Sequence, residues 1–323
     1  MNKFLSLILS MSIALCLLGC SKEVESPAKY NVYDNSAMYG ITSAKSSSNV
    51  NFFAKNLCVI GTDDVEVSDV DSFVASSAGA FNIDKQTVNY AQSVHEKMYP
   101  ASTTKIMTAY VACLYGDLDE YYTVSPLAVD QASDSSVCEL KAGDVISLRD
   151  LLYGLMLRSG NDAAIAIAEG VSGDVESFVE LMNKTAQSIG ATNTNFVNPN
   201  GLHDENHYTS VYDMYLMLNT ALDNPDFYSV FTAKSYTANY TSAGAAVTKD
   251  WNSTNQYLSG NINAPKDFTI LGGKTGTTGA AGYCLVLLSE NPNKDRIISI
   301  VFNADCRSNL YLLMNEVLSN KCR

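Results

Sequence analysis

Gly272-Gly273-Lys274-Thr275-Gly276-Thr277-Thr278-Gly279 follows an apolar run at 268–271. It precedes two more, at 283–289 and 297–303, which flank the turn Asn291-Pro292-Asn293-Lys294. Short β-branched and aromatic runs punctuated by Gly, Pro and Asn read as antiparallel strands. Far upstream, 78–83 and 88–91 flank Asp84-Lys85-Gln86-Thr87 and read as a hairpin. Between these two regions the period is helical. Pro100 suits a first turn, and Ile106, Met107, Tyr110, Val111 and Leu114 recur at helical spacing until Gly116. Ser147 with Asp150 and Ser210 with Asp213 cap two further helices, 162–169 and 174–189 read as two more, and a last amphipathic helix covers 310–318. Strands at both ends with helices between them predict an α+β fold. One antiparallel sheet flanked by helices is built from both ends of the chain, and a mostly helical lobe is inserted in the middle.

Composition narrows the function classes. In 323 residues, 46% hydrophobic and 17% charged, there is enough apolar material for a large core, which excludes disorder as the main state. The formal charge is −13, whereas phosphate-backbone binding needs a basic footprint, so nucleic acid is excluded as a partner.

Residues 1–20 read as an address. Lys3 is followed by an uncharged, mostly apolar run over 4–18, which suits a secretory signal better than a membrane span. The run ends in Leu17-Leu18-Gly19-Cys20, similar to the bacterial lipobox; that resemblance implies cleavage before Cys20 and lipidation of it, an extracytoplasmic protein anchored to the cell membrane by its amino terminus. An ordinary signal peptide or an uncleaved anchor are the other readings. Residues 21–50 are polar and Ser-rich and read as a flexible tether with a reach of roughly 30 Å. The remaining 51–323 form one functional domain. Beyond Cys16 and Cys20, six cysteines remain, with no C-x-x-C spacing and no connectivity legible.

Three short motifs carry chemistry. In Ser102-Thr103-Thr104-Lys105, at the start of the Pro100 helix, positions i and i+3 share a face, so Lys105 can act as base for a Ser102 nucleophile if its pKa is depressed. A second S-x-x-K, Ser26 to Lys29, sits in the tether, so spacing alone proves little. Ser159-Gly160-Asn161 falls at a break between helices, where a hydroxyl and a carboxamide can point into a cleft. Ser47-Ser48-Asn49 and Ser253-Thr254-Asn255 have the same pattern. Lys274-Thr275-Gly276-Thr277 invites a phosphate-loop reading, but that needs glycine where Phe268 stands. Adjacent strand residues point to opposite faces, so Lys274 and Thr275 meet one anion only at a strand edge facing a cleft.

Taken in order, S-x-x-K, S-x-N and K-T-G resemble the penicillin-recognising serine enzymes. The stretches Tyr99 to Ala109, Arg158 to Ala163, Gly201-Leu202, His207 to Ser210 and Asp213-Met214 are similar to the low-molecular-mass D-alanyl-D-alanine carboxypeptidases, the S11 serine peptidases. The resemblance implies a β-lactamase/transpeptidase-like fold without a cofactor and a peptidoglycan stem peptide as substrate, with β-lactams as covalent inhibitors. It implies catalytic roles for Ser102, Lys105 and Ser159, and substrate binding by Asn161, Lys274, Thr275, Gly276 and Thr277, with backbone N–H groups of Ser102 and Thr277 as oxyanion hole. Many relatives carry a second β-rich domain and a carboxy-terminal anchor. Only about twenty residues follow Asn303, so no such domain is expected and lipid at Cys20 replaces the anchor. Relatives also use an arginine near the Asn255 stretch; 251–258 has no basic residue, which leaves the carboxylate to Lys274 and Thr275.

Three other readings compete. A class A β-lactamase needs a glutamate for deacylation, and Glu180-Leu181-Met182-Asn183 only loosely fits. A metallopeptidase could use His203 and His207, although the order is not H-E-x-x-H. A lipid-tethered binding protein or β-lactam sensor would acylate without turnover.

Overall fold

A computed structural model describes residues 56–323. The signal peptide, Cys20 and the tether lie outside the described residues. The amino-terminal hairpin pairs β1 (Ala75–Asn82) with β2 (Thr87–Gln92), close to the expected limits. A single 3-10 turn, Ala101–Thr104, leads into α1 (Lys105–Tyr115), which stops at Gly116. After β3 (Tyr121–Thr123) and β4 (Val145–Ser147) comes α2 (Leu148–Tyr153), whose cap is as expected: Ser147 Oγ accepts from Asp150 N at 3.0 Å. Then follow α3 (Asn161–Ser172), α4 (Val175–Ile189) and α5 (Val211–Ala221). Asp174 caps α4, Ser210 caps α5, and Gly190, at φ +93°, ends α4 in the left-handed region that glycine adopts without cost.

The chain continues through α6 (Pro225–Phe231), the hairpin of β5 (Ser235–Ser242) and β6 (Ala245–Asn252), three long strands β7 (Thr269–Thr278), β8 (Gly282–Glu290) and β9 (Arg296–Ala304), and α7 (Arg307–Lys321). Five strands form one antiparallel sheet in the order β2-β1-β9-β8-β7, so strands from both ends of the chain are neighbours, as expected. The period-two rule explains how it is covered on both sides. Cys284, Val286 and Leu288 of β8 face the main core with the helices, while Leu285 and Leu287 face a second core against Leu310, Leu313, Met314 and Val317 of α7. Each such side chain contributes about 2 kcal/mol of burial.

The inserted region holds more than helices. Strands β3-β4-β5-β6 make a second sheet, and the β5–β6 hairpin lies in the stretch between the two strand regions that reads as helical. In Ser235-Tyr-Thr-Ala-Asn-Tyr-Thr-Ser only Ala238 and Tyr240 are buried, so the alternation is one of small and hydroxylated residues and gives a weak apolar signal. Cys58, Cys113, Cys138, Cys284, Cys306 and Cys322 are all free thiols. Among the described residues no helix is long and apolar enough to cross a membrane.

Candidate active site

The first motif is built by close backbone packing. Ala101 has φ +47°, and Gly201, at φ +84°, lies against it: a Cβ on Gly201 would stand 1.9 Å from Ala101 O. On the other side a Cβ on Gly276 would stand 2.9 Å from Ser102 N. Any side chain at these two positions displaces the turn that presents Ser102. Gly276 lies on β7, the edge strand of the large sheet, the location the sequence requires if Lys274 and Thr275 are to share a cleft.

Lys105 is fully buried. Its Nζ lies 2.8 Å from Asn161 Oδ1, 2.5 Å from the Asn200 carbonyl oxygen and 3.1 Å from Ser102 Oγ. Burial, and next the charge of Lys274, hold its pKa well below the ordinary lysine value. A neutral amine has two N–H donors and one lone pair. Asn161 Oδ1 and Asn200 O can only accept, so they take the two hydrogens and the lone pair is left for the Ser102 hydroxyl, which then donates to Nζ.

Ser159 terminates a π-turn, Gly154–Arg158, in the left-handed region at φ +59°. That kink turns its hydroxyl toward β7, where Lys274 Nζ donates to Ser159 Oγ at 2.9 Å and to Thr275 O at 2.8 Å. Gly160 behind it has no room for a Cβ, which would sit 2.4 Å from Cys138 Sγ. Burial lowers the Lys274 pKa to about 7. None of the ion pairs among the described residues includes Lys105 or Lys274, so neither amine is paired with a carboxylate.

Ser102, Ser159, Thr254, Thr275, Thr277 and Arg307 line a cavity of about 460 Å³. A second, of about 300 Å³, shares Ser102 and Thr277 with it and extends past Asn161, Asn200 and His203. Thr254 and Thr275 face each other with hydroxyls 3.2 Å apart. Every predicted site residue within the described part therefore gathers around Ser102, with Lys105 and Lys274 buried behind the cavity wall.

Sequence reasoning missed two groups beside the site. Arg307, the first residue of α7, reaches the same cavity as Thr275 and lies over the Tyr283 ring, a second basic side chain beside the Lys274–Thr275 edge. Its signal is a basic residue just after the last strand, well beyond residues 251–258. The Asn200 carbonyl is a backbone group that no side-chain motif encodes. His207, which the sequence already singled out, is buried against Thr104 of the first motif.

The competing readings find less support. Glu180 is exposed on α4 and pairs with Lys184, while Asn183 bonds the backbone of Phe196, so neither lines the cavities around Ser102. The two histidines diverge: His203 packs edge-on against Tyr99, and His207 contacts Thr104 and Val197.

Buried His207 has its pKa lowered to about 4 by desolvation. The unfolded chain therefore binds a proton that the native state refuses between pH 4 and about 6.5, and stability falls as pH drops through that window. The expected loss is about 3 kcal/mol, read as a falling urea midpoint between pH 7 and pH 4. A His207→Gln variant should flatten that part of the profile.

Comparison with known proteins bears on the family and the fold. A family profile described as Peptidase_S11, D-alanyl-D-alanine carboxypeptidase, matches residues 65–306. The carboxypeptidase DacC of Escherichia coli K12 is 38% identical over 219 residues, 65% of this chain and 51% of the relative. DacA of Haemophilus influenzae is 34% identical over 213 residues, 64% and 51% respectively. The chain thus spans about half the length of these curated relatives. The crystal structure of the Streptomyces K15 DD-transpeptidase superposes with a TM-score of 0.68 at 30% identity, covering 76% of this chain and 97% of that one. With the motif order, the geometry around Ser102 and a profile match over most of its length, the chain belongs to the S11 peptidase family of D-alanyl-D-alanine carboxypeptidases.

Proposed function

We propose that this protein removes the terminal D-alanine from peptidoglycan stem peptides through an acyl-enzyme on Ser102. The observation that carries this reading is the buried Lys105 amine 3.1 Å from Ser102 Oγ, with its other two contacts occupied by pure acceptors. In the forward step Ser102 Oγ attacks the carbonyl between the two D-alanines and its proton passes to Lys105 Nζ. Negative charge develops on the carbonyl oxygen and is met by the backbone N–H groups of Ser102 and Thr277, worth roughly 3 kcal/mol per donor in other acyl-transfer enzymes. As the scissile C–N bond breaks, Ser159, hydrogen-bonded to Lys274, relays the proton taken up by Lys105 to the departing amine. Asn161 orients Lys105 and the substrate amide. Water then attacks the acyl-enzyme and regenerates Ser102. The same serine would open a β-lactam, whose strained amide takes the place of the scissile bond.

The substrate's terminal carboxylate would lie in the cavity between Thr254, Thr275 and Arg307, with Lys274 and Gly276 beneath it. This pocket is locally cationic in an acidic protein, so selection arises in the cleft and not from the field of the whole molecule. Arg307→Gln is expected to raise KM for a synthetic pentapeptide about fivefold, the scale of an exposed ion pair, with kcat changed much less. Steady-state kinetics checks this; an unchanged KM removes Arg307 from the subsite. The K15 relative is named both a carboxypeptidase and a transpeptidase. Both reactions share the acyl-enzyme and differ in the acceptor, which in this protein is water. Mass spectrometry of the protein after brief exposure to penicillin, with D-alanine release from the pentapeptide, tests the proposal.

Outside the described residues, the lipobox-like Leu17-Leu18-Gly19-Cys20 supports a signal peptide over 1–20, a lipid anchor on Cys20 and a tether over 21–50, placing domain 51–323 outside the cytoplasmic membrane. Cys20→Ala should move the protein from the membrane fraction to the soluble one; unchanged fractionation would point to another attachment.

A further inference from the structure

His207 takes no part in the steps above, yet it touches the motif that performs them. It is 2% exposed, in the loop between Gly201 and α5. Its Nδ1 accepts from the backbone N–H of Val197 at 3.1 Å, and its Nε2 lies 2.8 Å from Thr104 Oγ1. The Val197 amide can only donate, so Nδ1 carries no hydrogen, and the neutral ring donates from Nε2 to Thr104. One ring thus joins two segments far apart in sequence, one carrying the catalytic amine and the other its acceptor Asn200. Thr104 immediately precedes Lys105, and Val197 opens the loop that ends in Asn200.

That loop has no regular secondary structure to fix it. Thr108 Oγ1 ties it to α1 through Pro199 O at 2.6 Å, and Asn200 O accepts from Lys105 Nζ. The other acceptor on Lys105, Asn161, stands in the first turn of α3 and is held by the helix itself. Of the two groups that orient the amine, the Asn200 carbonyl is therefore the one that depends on side-chain ties. If it drifts, the amine keeps one fixed acceptor and can rotate about it, turning its lone pair from Ser102.

We propose that His207 is a positioning residue: by bridging Val197 N and Thr104 Oγ1 it holds the Asn200 carbonyl on Lys105 Nζ and so points the lone pair at Ser102 Oγ. The inference rests on the reading of Ser102 and Lys105 as nucleophile and base. Misplacement of a reacting group by an ångström can cost up to about 100-fold, and a loosened carbonyl should cost part of that.

The test is the kinetics of labelling by penicillin in His207→Asn, His207→Gln and Thr104→Val, resolved into the dissociation constant of the initial complex and the limiting acylation rate constant. An asparagine amide can keep the acceptor near Nδ1 but loses the Nε2 donor. It is expected to lower the acylation rate constant about tenfold and leave the dissociation constant unchanged, because the carboxylate pocket is untouched. Thr104→Val cuts the same bond from the other end with little change of volume and should slow acylation similarly. The Thr104→Val/His207→Asn double variant should be no slower than either single variant, since both remove one interaction. Glutamine, whose amide nitrogen reaches the place of Nε2, should recover several-fold of the loss.

The rate constant is a property of each folded molecule, so a purely structural role lowers the labelled fraction or the melting temperature and leaves the rate alone. Wild-type rate constants in His207→Asn and Thr104→Val overturn the proposal, and so does strict additivity in the double variant. Failure of the wild-type protein to label at all overturns the underlying assignment of Ser102 instead, so the two failures are distinguishable.

Discussion

Ser102→Ala is expected to abolish both D-alanine release and covalent labelling by penicillin, with a loss in rate on the order of 10⁴ to 10⁶, the scale found when a serine hydrolase loses its nucleophile. Alanine fits the site. Ser102 sits in a turn fixed by backbone contacts from Gly201 and Gly276, and its hydroxyl has a single side-chain hydrogen bond, to Lys105. Stability should therefore change by no more than about 1 kcal/mol. The check is intact mass after incubation with penicillin, beside a thermal melt: no adduct at an unchanged melting temperature. An adduct of full stoichiometry on the variant would mean that another residue is the nucleophile.

The second large effect belongs to Lys105. Lys105→Met keeps the straight side chain and its volume while deleting the amine, and acylation should fall by about 10² to 10⁴, the usual contribution of a positioned general base. The variant also leaves Asn161 Oδ1 and Asn200 O without their donor, at about 1–3 kcal/mol each, partly offset because an amine no longer has to be buried. A related effect appears in the pH profile. Protonation of Lys105 removes its lone pair, so the acylation rate falls on the acid side. The charge of Lys274 helps to depress the Lys105 pKa. Lys274→Met should then let that pKa rise and move the acid limb of the acylation rate constant to higher pH. A limb that stays in place, or moves to lower pH, would show that Lys274 does not tune the base.

Much of this arrangement is legible along the chain because it is encoded locally. The capping pairs at Ser147 and Ser210 each announce a helix that forms, and the apolar runs flanking Asn291-Pro292-Asn293-Lys294 announce the strand pair β8–β9. The three motifs converge as their order implies, with Ser102 bonded to Lys105 and Lys274 bonded to Ser159. What escapes is the part made by backbone or by distance in sequence. The Asn200 carbonyl is invisible to a motif of side chains. Arg307 lies beyond the last strand of the sheet and becomes a neighbour of Thr275 only when α7 folds back. The β5–β6 hairpin hides because its buried positions are few and its exposed ones are Ser, Thr and Asn, residues equally at home in loops. His207 reads from the sequence as a residue bonded within the fold, and only the structure names its two partners, Thr104 and Val197.

The most direct test is peptide mapping of the wild-type protein after a short exposure to penicillin. The account predicts one penicilloyl group, on the peptide that contains Ser102 and on that side chain. An intact protein that stays unmodified at saturating penicillin, or carries the group on Ser159 or any other residue, would contradict it.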